Sequence, residues 1–191
     1  MAKFMKIVLL RHGASSIGYS GKLKAAELPQ WIDAYNAAGI DHESQPSAET
    51  IKMAQACGAV VCSDLCRSVA SAERLGVSIS HTDPLFREVA LPYGEWHTPK
   101  ASPLFWAALF RVLWLCGYSP HIESVALAKE RAQRAANKLI TVAKESGSVL
   151  HVGHGFMNRY ISKALIANGW SGPNNPGRKH WEFGIYNLGS A

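Results

Sequence analysis

The chain has 191 residues, 48% hydrophobic and 18% charged, which is enough apolar chain for one domain with a sizeable core and excludes a disordered or fibrous class. Its net charge of +6, from 20 Lys and Arg against 14 Asp and Glu, favours anionic partners. The basic residues are scattered, with no run of five like charges, so the charge does not single out nucleic acid; a phosphorylated small molecule suits it equally well.

Met1 to Leu10 carries lysines and only a very short apolar segment, which predicts no leader peptide. Ile7 to Leu10 reads as a buried parallel strand, and Arg11-His12-Gly13 as the loop at its carboxyl end. Gly13 to Gly21 is loop. Trp31, Ala34, Tyr35 and Ala38 have helical spacing, and Gly39 ends that helix. After a polar loop over Asp41 to Pro46, Ser47 caps a second helix that runs to about Gln55. Ala59 to Cys62 is a second strand. Ser63 or Asp64 then caps a helix over Leu65 to Leu75, stopped by Gly76, and Val77 to Ser80 predicts a third strand.

His81 to Pro99 is loop-like. Ala101 to Cys116 is an apolar, aromatic helix that carries Arg111 and is too short to span a bilayer. Ser124 caps a long amphipathic helix to about Glu145. Val125, Ala128, Ala132, Ala135, Leu139 and Val142 form its apolar face, and Lys129, Arg131 and Arg134 its polar one. Ser148 to Val152 is a strand of the first type, followed by Gly153-His154-Gly155 and a helix from Phe156 to Ala167. Ser171 to Lys179 is loop, and Trp181 to Leu188 a last strand, placed at an edge. Strands alternating with helices predict an α/β fold: three layers, α/β/α, with a mostly parallel central sheet and helices on both faces. The four cysteines, Cys57, Cys62, Cys66 and Cys116, form no C-x-x-C pair and sit in apolar or helical surroundings. They read as free buried thiols in a reducing compartment, hence cytoplasmic, rather than as zinc or disulfide sites.

Two strand ends look alike. Leu10-Arg11-His12-Gly13 and Val152-Gly153-His154-Gly155 each put an imidazole just past an apolar strand, beside a glycine that admits close backbone approach. A neutral His12 can attack phosphorus in line and form a phosphohistidine. Arg11 can hold two phosphoryl oxygens through its planar fork, and His154 can donate to the same group. Ser63-Asp64-Leu65-Cys66-Arg67-Ser68 opens a helix after the second strand, so Arg67 can project back over the strand ends as a further cation. Its bland alternative is a surface ion pair with Asp64. Side-chain cations of this kind require neither a metal nor another cofactor.

In family order, these segments resemble the histidine phosphatase superfamily, the phosphoglycerate-mutase-like fold. Leu10 to Gly13 is similar to its nucleophile motif, Cys62 to Ala72 to the segment bearing its second arginine, and Val152 to Gly155 to its second-histidine motif. Leu85-Phe86-Arg87-Glu88, with Tyr93-Gly94-Glu95-Trp96 after it, resembles the motif carrying its acidic proton donor. The resemblance implies His12 as nucleophile, Arg11, Arg67 and His154 as phosphoryl ligands, and Glu88 as the acid that protonates the leaving oxygen and then activates water. Glu95 and Asp83 are the alternative acids. Substrate contacts are expected from Arg11, Ser15, Arg67, His154 and Gly155. Ala14-Ser15 replaces the acidic residue that often follows the glycine in the mutases, and Phe156 replaces a further glycine after the second histidine.

The expectation is one domain over residues 1–191, with residues 101–121 inserted as a small helical cap that shapes the pocket or an interface between two copies of the chain. Its activity would be metal-free hydrolysis of small-molecule phosphomonoesters through a phosphohistidine, with no nucleic-acid or membrane partner. The alternatives are a mutase-like phosphotransferase, a protein phosphohistidine phosphatase, and a phospho-ligand-binding protein without turnover. His151 reads as a core histidine, and His81, His97 and His180 as loop residues.

Overall fold

In the computed structural model, which describes residues 5–189, the first apolar run becomes strand β1 (Met5–Arg11). Residues 1–4, on which part of the leader reading rests, lie outside that range. The chain continues through α1 (Leu28–Ala37), α2 (Ala48–Gln55), β2 (Ala59–Cys62), α3 (Cys66–Arg74), β3 (His81–Thr82), α4 (Pro103–Leu115), α5 (Val125–Ser146), β4 (Ser148–Gly153), α6 (Gly155–Ala167) and β5 (Phe183–Leu188). Short 3-10 turns precede α1 and follow β3. The sheet order is β3-β2-β4-β1-β5, parallel except for the antiparallel edge strand β5.

Alternation along the strands decides the layers, because successive side chains leave opposite faces. Ile7 and Leu9 of β1, Val61 of β2 and Val149 of β4 pack with Ala132, Ala135 and Leu139 of α5 and Ile161 and Leu165 of α6. Val8, Leu10, Val60, Cys62, Leu150 and Val152 face the other way, onto Ala54 of α2 and Ala72 and Leu75 next to or within α3. Both faces of β1 are therefore dry, and each large aliphatic side chain so buried contributes roughly 1.5–3 kcal/mol relative to exposure. A third core joins Ala25 and Leu28 to Trp106 and Phe110, so α4 packs over the start of α1.

Register then positions the chemistry. Arg11 pairs with Gly153 and Leu10 with Val152, while Cys62 pairs with Val152 from the other side. The three strands end level, so the residues that follow them, His12, His154 and Ser63, leave the sheet together. His12 N donates to Gly153 O at 3.0 Å and Ser63 N to Val152 O at 3.2 Å.

Some local expectations are corrected. Residues 77–80 form no strand. The Ser80 hydroxyl accepts from Val60 N at 3.2 Å, so a side chain takes the donor that a ladder would use, and pairing starts at His81. Neither Ser63 nor Asp64 caps α3; its N-cap is Leu65, without a side-chain bond, because the Asp64 carboxylate turns outward to Arg87 at 2.6 and 2.8 Å. Ser47 and Ser124 do cap α2 and α5. All four cysteines are free, but only Cys62 is buried; Cys66 and Cys116 are exposed. Arg131 does not belong to the solvated face of α5. It ion-pairs with Glu123 and donates to Leu85 O and Arg87 O, both at 2.8 Å. Among the described residues, no helix is long and apolar enough to cross a membrane.

Candidate active site

His12 is 3% exposed at the end of β1. Its Nδ1 lies 2.6 Å from Gly13 O. A carbonyl only accepts, so the proton sits on Nδ1 and the lone pair on Nε2. Arg67 Nε donates towards that Nε2 at 3.3 Å. Burial first, and then the charge of Arg67, hold the His12 pKa well below its ordinary value. The imidazole is thus neutral near pH 7, which nucleophilic attack requires.

Gly13 and Gly153 were expected to leave room for a ligand, but that space belongs to packing. A Cβ on Gly13 would collide with the Trp181 indole, and one on Gly153 with the side chains of His151 and Asn158. Trp181 reaches that position with a φ of 66°, in the left-handed region, while its N–H pairs with Arg11 O at 3.0 Å. At Gly155 the room does open onto the site: its ideal Cβ position lies 3.7 Å from the Arg11 guanidinium and 3.8 Å from Glu88 Oε2.

The second histidine stands beside the first, with ring centroids 5.0 Å apart. His154 is fully buried, and burial lowers its pKa well below the usual value. Its Nε2 is 3.2 Å from Ser68 Oγ, whereas its Nδ1 is buried without a partner. Arg11 Nε is likewise buried and unpartnered, although Arg11 Nη1 donates to Arg178 O. Two orphaned nitrogens, one on the residue before His12 and one on the imidazole beside it, make a ready receptor for an anion, since buried polar groups ordinarily find partners.

Arg67 is 2% exposed, which rules out the surface pair with Asp64. Its Nη1 donates to Asn36 Oδ1 at 3.2 Å and Tyr35 O at 3.3 Å, and its guanidinium lies 4.8 Å from the Tyr35 ring centroid. Glu88 enters from the loop after β3. Its Oε1 accepts from Val89 N and Met157 N, both at 2.9 Å, and its Oε2 from Phe156 N at 3.0 Å. The carboxylate therefore caps α6, whose own N-cap His154 supplies no side-chain bond. The alternative acids lie elsewhere. Asp83 pairs with Lys138 at 2.5 Å and caps Leu85 N, and Glu95 is exposed.

The structure thus brings together His12, Arg11, Arg67, His154, Glu88 and Gly155. Ser15 sits apart from that ring of contacts: its hydroxyl accepts from Ile17 N at 3.3 Å, and its backbone bridges to Ile40. His151 is the core histidine expected, with Nδ1 on Val61 O and its ring 4.6 Å from Phe86.

Three contributors escaped the sequence reading. His180, taken for a loop residue, places its ring 5.4 Å from His12 and donates from Nδ1 to His12 O at 2.9 Å. It also walls a cavity of about 530 Å³ lined by polar groups that include Ser47, Glu49, Thr50 and Glu182. Ser68 and Ser71 lie on α3 one and four residues past Arg67; Ser71 Oγ accepts from Gly13 N at 2.9 Å. The helical spacing of these serines was the available signal. His180 had none, since it arrives through the turn into β5. Among the described residues, no group of three or more His, Cys, Asp or Glu could hold a metal ion.

Comparison with known proteins agrees with this geometry. The family model described as histidine phosphatase superfamily (branch 1) matches residues 7–180. The structure is similar to a mycobacterial glucosyl-3-phosphoglycerate phosphatase, with TM-score 0.59, 21% identity, and coverage of 96% of this chain and 90% of that one. It is also similar to the Rv3214 product of Mycobacterium tuberculosis (TM-score 0.60, 17% identity, 95% and 90% covered). A third similar structure is the TTHB049 protein of Thermus thermophilus (TM-score 0.58, 22% identity, 95% and 92% covered). At these identities the likeness is one of fold. No curated protein matches the chain in sequence.

Proposed function

From the premise that this chain belongs to the histidine phosphatase superfamily (branch 1), we propose that it hydrolyses small-molecule phosphomonoesters through a phosphohistidine on His12, with side chains alone as the cations. The observation that carries this reading is the Nε2 lone pair of a buried, neutral His12, faced by Arg67, in a site where Arg11 Nε and His154 Nδ1 are buried without partners.

In the first step His12 Nε2 attacks phosphorus. The N–P bond forms as the ester P–O bond breaks, and Glu88 gives its proton to the departing oxygen. Arg11, Arg67 and His154 take up the charge on the equatorial oxygens, where donors aimed at developing charge act most strongly. In the second step water attacks the phosphohistidine, Glu88 takes the water proton, and the N–P bond breaks to release inorganic phosphate and neutral His12. Ala14 stands where an acidic residue would serve a mutase, which favours water over an acceptor hydroxyl. Helix α4 and its flanks, residues 101–121, act as a cap over the substrate.

The test is turnover of p-nitrophenyl phosphate by the parent and by His12→Ala, together with acid-free trapping of labelled phosphate. The expected result is label on His12 of the parent and a loss of at least about 10³-fold in the variant. A His12→Ala protein as active as the parent would overturn the reading. Repeating the assay with added acceptor alcohols separates hydrolysis from transfer by the product formed.

A further inference from the structure

Beside Arg67 lies an aromatic face that the proposed chemistry does not use. Trp31 and Tyr35, one turn apart on α1, stack with ring centroids 5.0 Å apart and planes 21° from parallel. Tyr19, from the loop after β1, adds a third ring 5.4 Å from Trp31 and 6.1 Å from Tyr35. The Arg67 guanidinium covers the Tyr35 ring at 4.8 Å, and the same side chain reaches His12 Nε2 at 3.3 Å. The face therefore begins where the phosphoryl pocket ends.

Its make-up is not that of ordinary core. Tyr19 and Tyr35 belong to none of the three apolar cores, and Tyr19 remains 43% exposed. Only Trp31 packs against the cluster of Ala25, Leu28, Trp106 and Phe110, which anchors the group from beneath. That support is itself tied down: Trp106 Nε1 donates to Leu23 O at 2.7 Å, and Leu23 pairs with Ala101. Three rings on a braced support, with Tyr19 exposed at the solvent side and the group adjoining a phosphate-binding cation, form a platform for a flat apolar group.

We propose that Tyr19, Trp31 and Tyr35 form the leaving-group subsite and that it selects phosphomonoesters whose leaving group carries a flat ring. This rests on the phosphoryl site proposed above. With the phosphoryl group held by Arg67, a ring joined through one methylene, either directly to phosphorus or by way of the ester oxygen, lies within reach of Tyr35 and Tyr19. Offset stacking rewards a planar π-system over a saturated ring of similar size. The cavity beside His180 also has aromatic side chains, Trp181 and Phe183, in its wall, but it sets the carboxylates of Glu49 and Glu182 against the charge of a phosphomonoester.

The test uses two non-hydrolysable probes, benzylphosphonate and cyclohexylmethylphosphonate, titrated calorimetrically into the full chain. They share the phosphonate and the methylene, and the saturated ring is the more hydrophobic, so mere apolar burial would favour it. The expected result is ~3- to 10-fold tighter binding of benzylphosphonate. In Tyr19→Leu, a substitution at an exposed side chain, that preference falls to half or less, and Tyr19→Phe retains it. Equal or weaker binding of benzylphosphonate by the parent, no binding of either probe, or an undiminished preference in Tyr19→Leu would each overturn the subsite. Two phosphate esters, benzyl phosphate and cyclohexylmethyl phosphate, separate the two proposals. Preference for the flat phosphonate without hydrolysis of benzyl phosphate removes the phosphatase reading and keeps the subsite. Hydrolysis of both esters at the same kcat/KM does the reverse.

Discussion

The Ser68 hydroxyl, 3.2 Å from His154 Nε2, has a consequence for the proton inventory of the site. If it donates to Nε2, the His154 proton must sit on Nδ1, the nitrogen that is buried and unpartnered. In the proposed mechanism Ser68 thereby makes His154 a donor towards a phosphoryl oxygen. Ser68→Ala should leave KM nearly unchanged and lower kcat about 10-fold, with Ser68→Thr restoring most of it. A kcat that is unchanged in steady-state assays of Ser68→Ala would refute the assignment. Around His12, the contacts of Arg67, Ser71 and His180 with His12 and Gly13 explain why His12 is 3% exposed although it lies at a strand end. Arg11, His12, Arg67 and His154 were legible from their strand and helix positions. His180 was not, because nothing local marks a histidine in the turn before an edge strand.

At the scale of elements, the loop that carries Glu88 is strapped from two sides. Arg131 of α5 donates to Leu85 O and Arg87 O. Arg111 of α4 donates to Val89 O at 2.7 Å and Ala90 O at 3.2 Å, and its guanidinium lies 4.3 Å from the Phe156 ring centroid. Phe156 in turn donates its N–H to Glu88. Helix α4 thus helps set the height of the Glu88 carboxylate relative to α6. Arg111→Met keeps the apolar contacts with Phe156 and Trp114 but frees two carbonyls. It should lower kcat about 10- to 100-fold on alkyl phosphates and far less on p-nitrophenyl phosphate, whose leaving group needs no proton. Equal losses on both substrates would refute a positioning role for Arg111. The sequence marked Arg111 only as a charge within an apolar stretch and Arg131 only as part of a polar face. Helical periodicity reports which face a residue occupies, not that a long cation on its border folds back onto a neighbouring loop.

For the whole molecule, burial of histidines couples stability to pH. His12, His151 and His154 are all held below their ordinary pKa, His151 at about 4, with burial as the leading cause in each. In the unfolded chain each binds a proton below about pH 6.5; in the folded chain His151 stays neutral until about pH 4. Between those values the unfolded state holds more protons, so stability falls as pH is lowered, by up to about 1.4 kcal/mol per pH unit for each such group. Above pH 6.5 these groups contribute no slope. Urea midpoints should drop steadily from pH 7 to pH 5, and His151→Gln should remove about one proton's worth of that slope. A midpoint independent of pH over this range would show that these histidines take up protons in the folded chain as readily as in the unfolded one.

The sequence by itself determined the strand and helix order, the parallel α/β class, the two strand-end histidines and the helix that carries Arg67. Those features are written in short-range patterns: an apolar run, a helical period, a capping serine, a glycine stop. Only the tertiary structure decided the rest. The register of β1 against β4 brings His12 beside His154. Glu88 crosses from another loop to close the N-terminus of α6, and Trp181 fills the space that Gly13 leaves. Tyr19 joins Trp31 and Tyr35 at the rim of Arg67. These partners lie between 12 and 168 positions apart in the chain, and such pairings are set by how the layers close on one another rather than by any local preference of the residues involved.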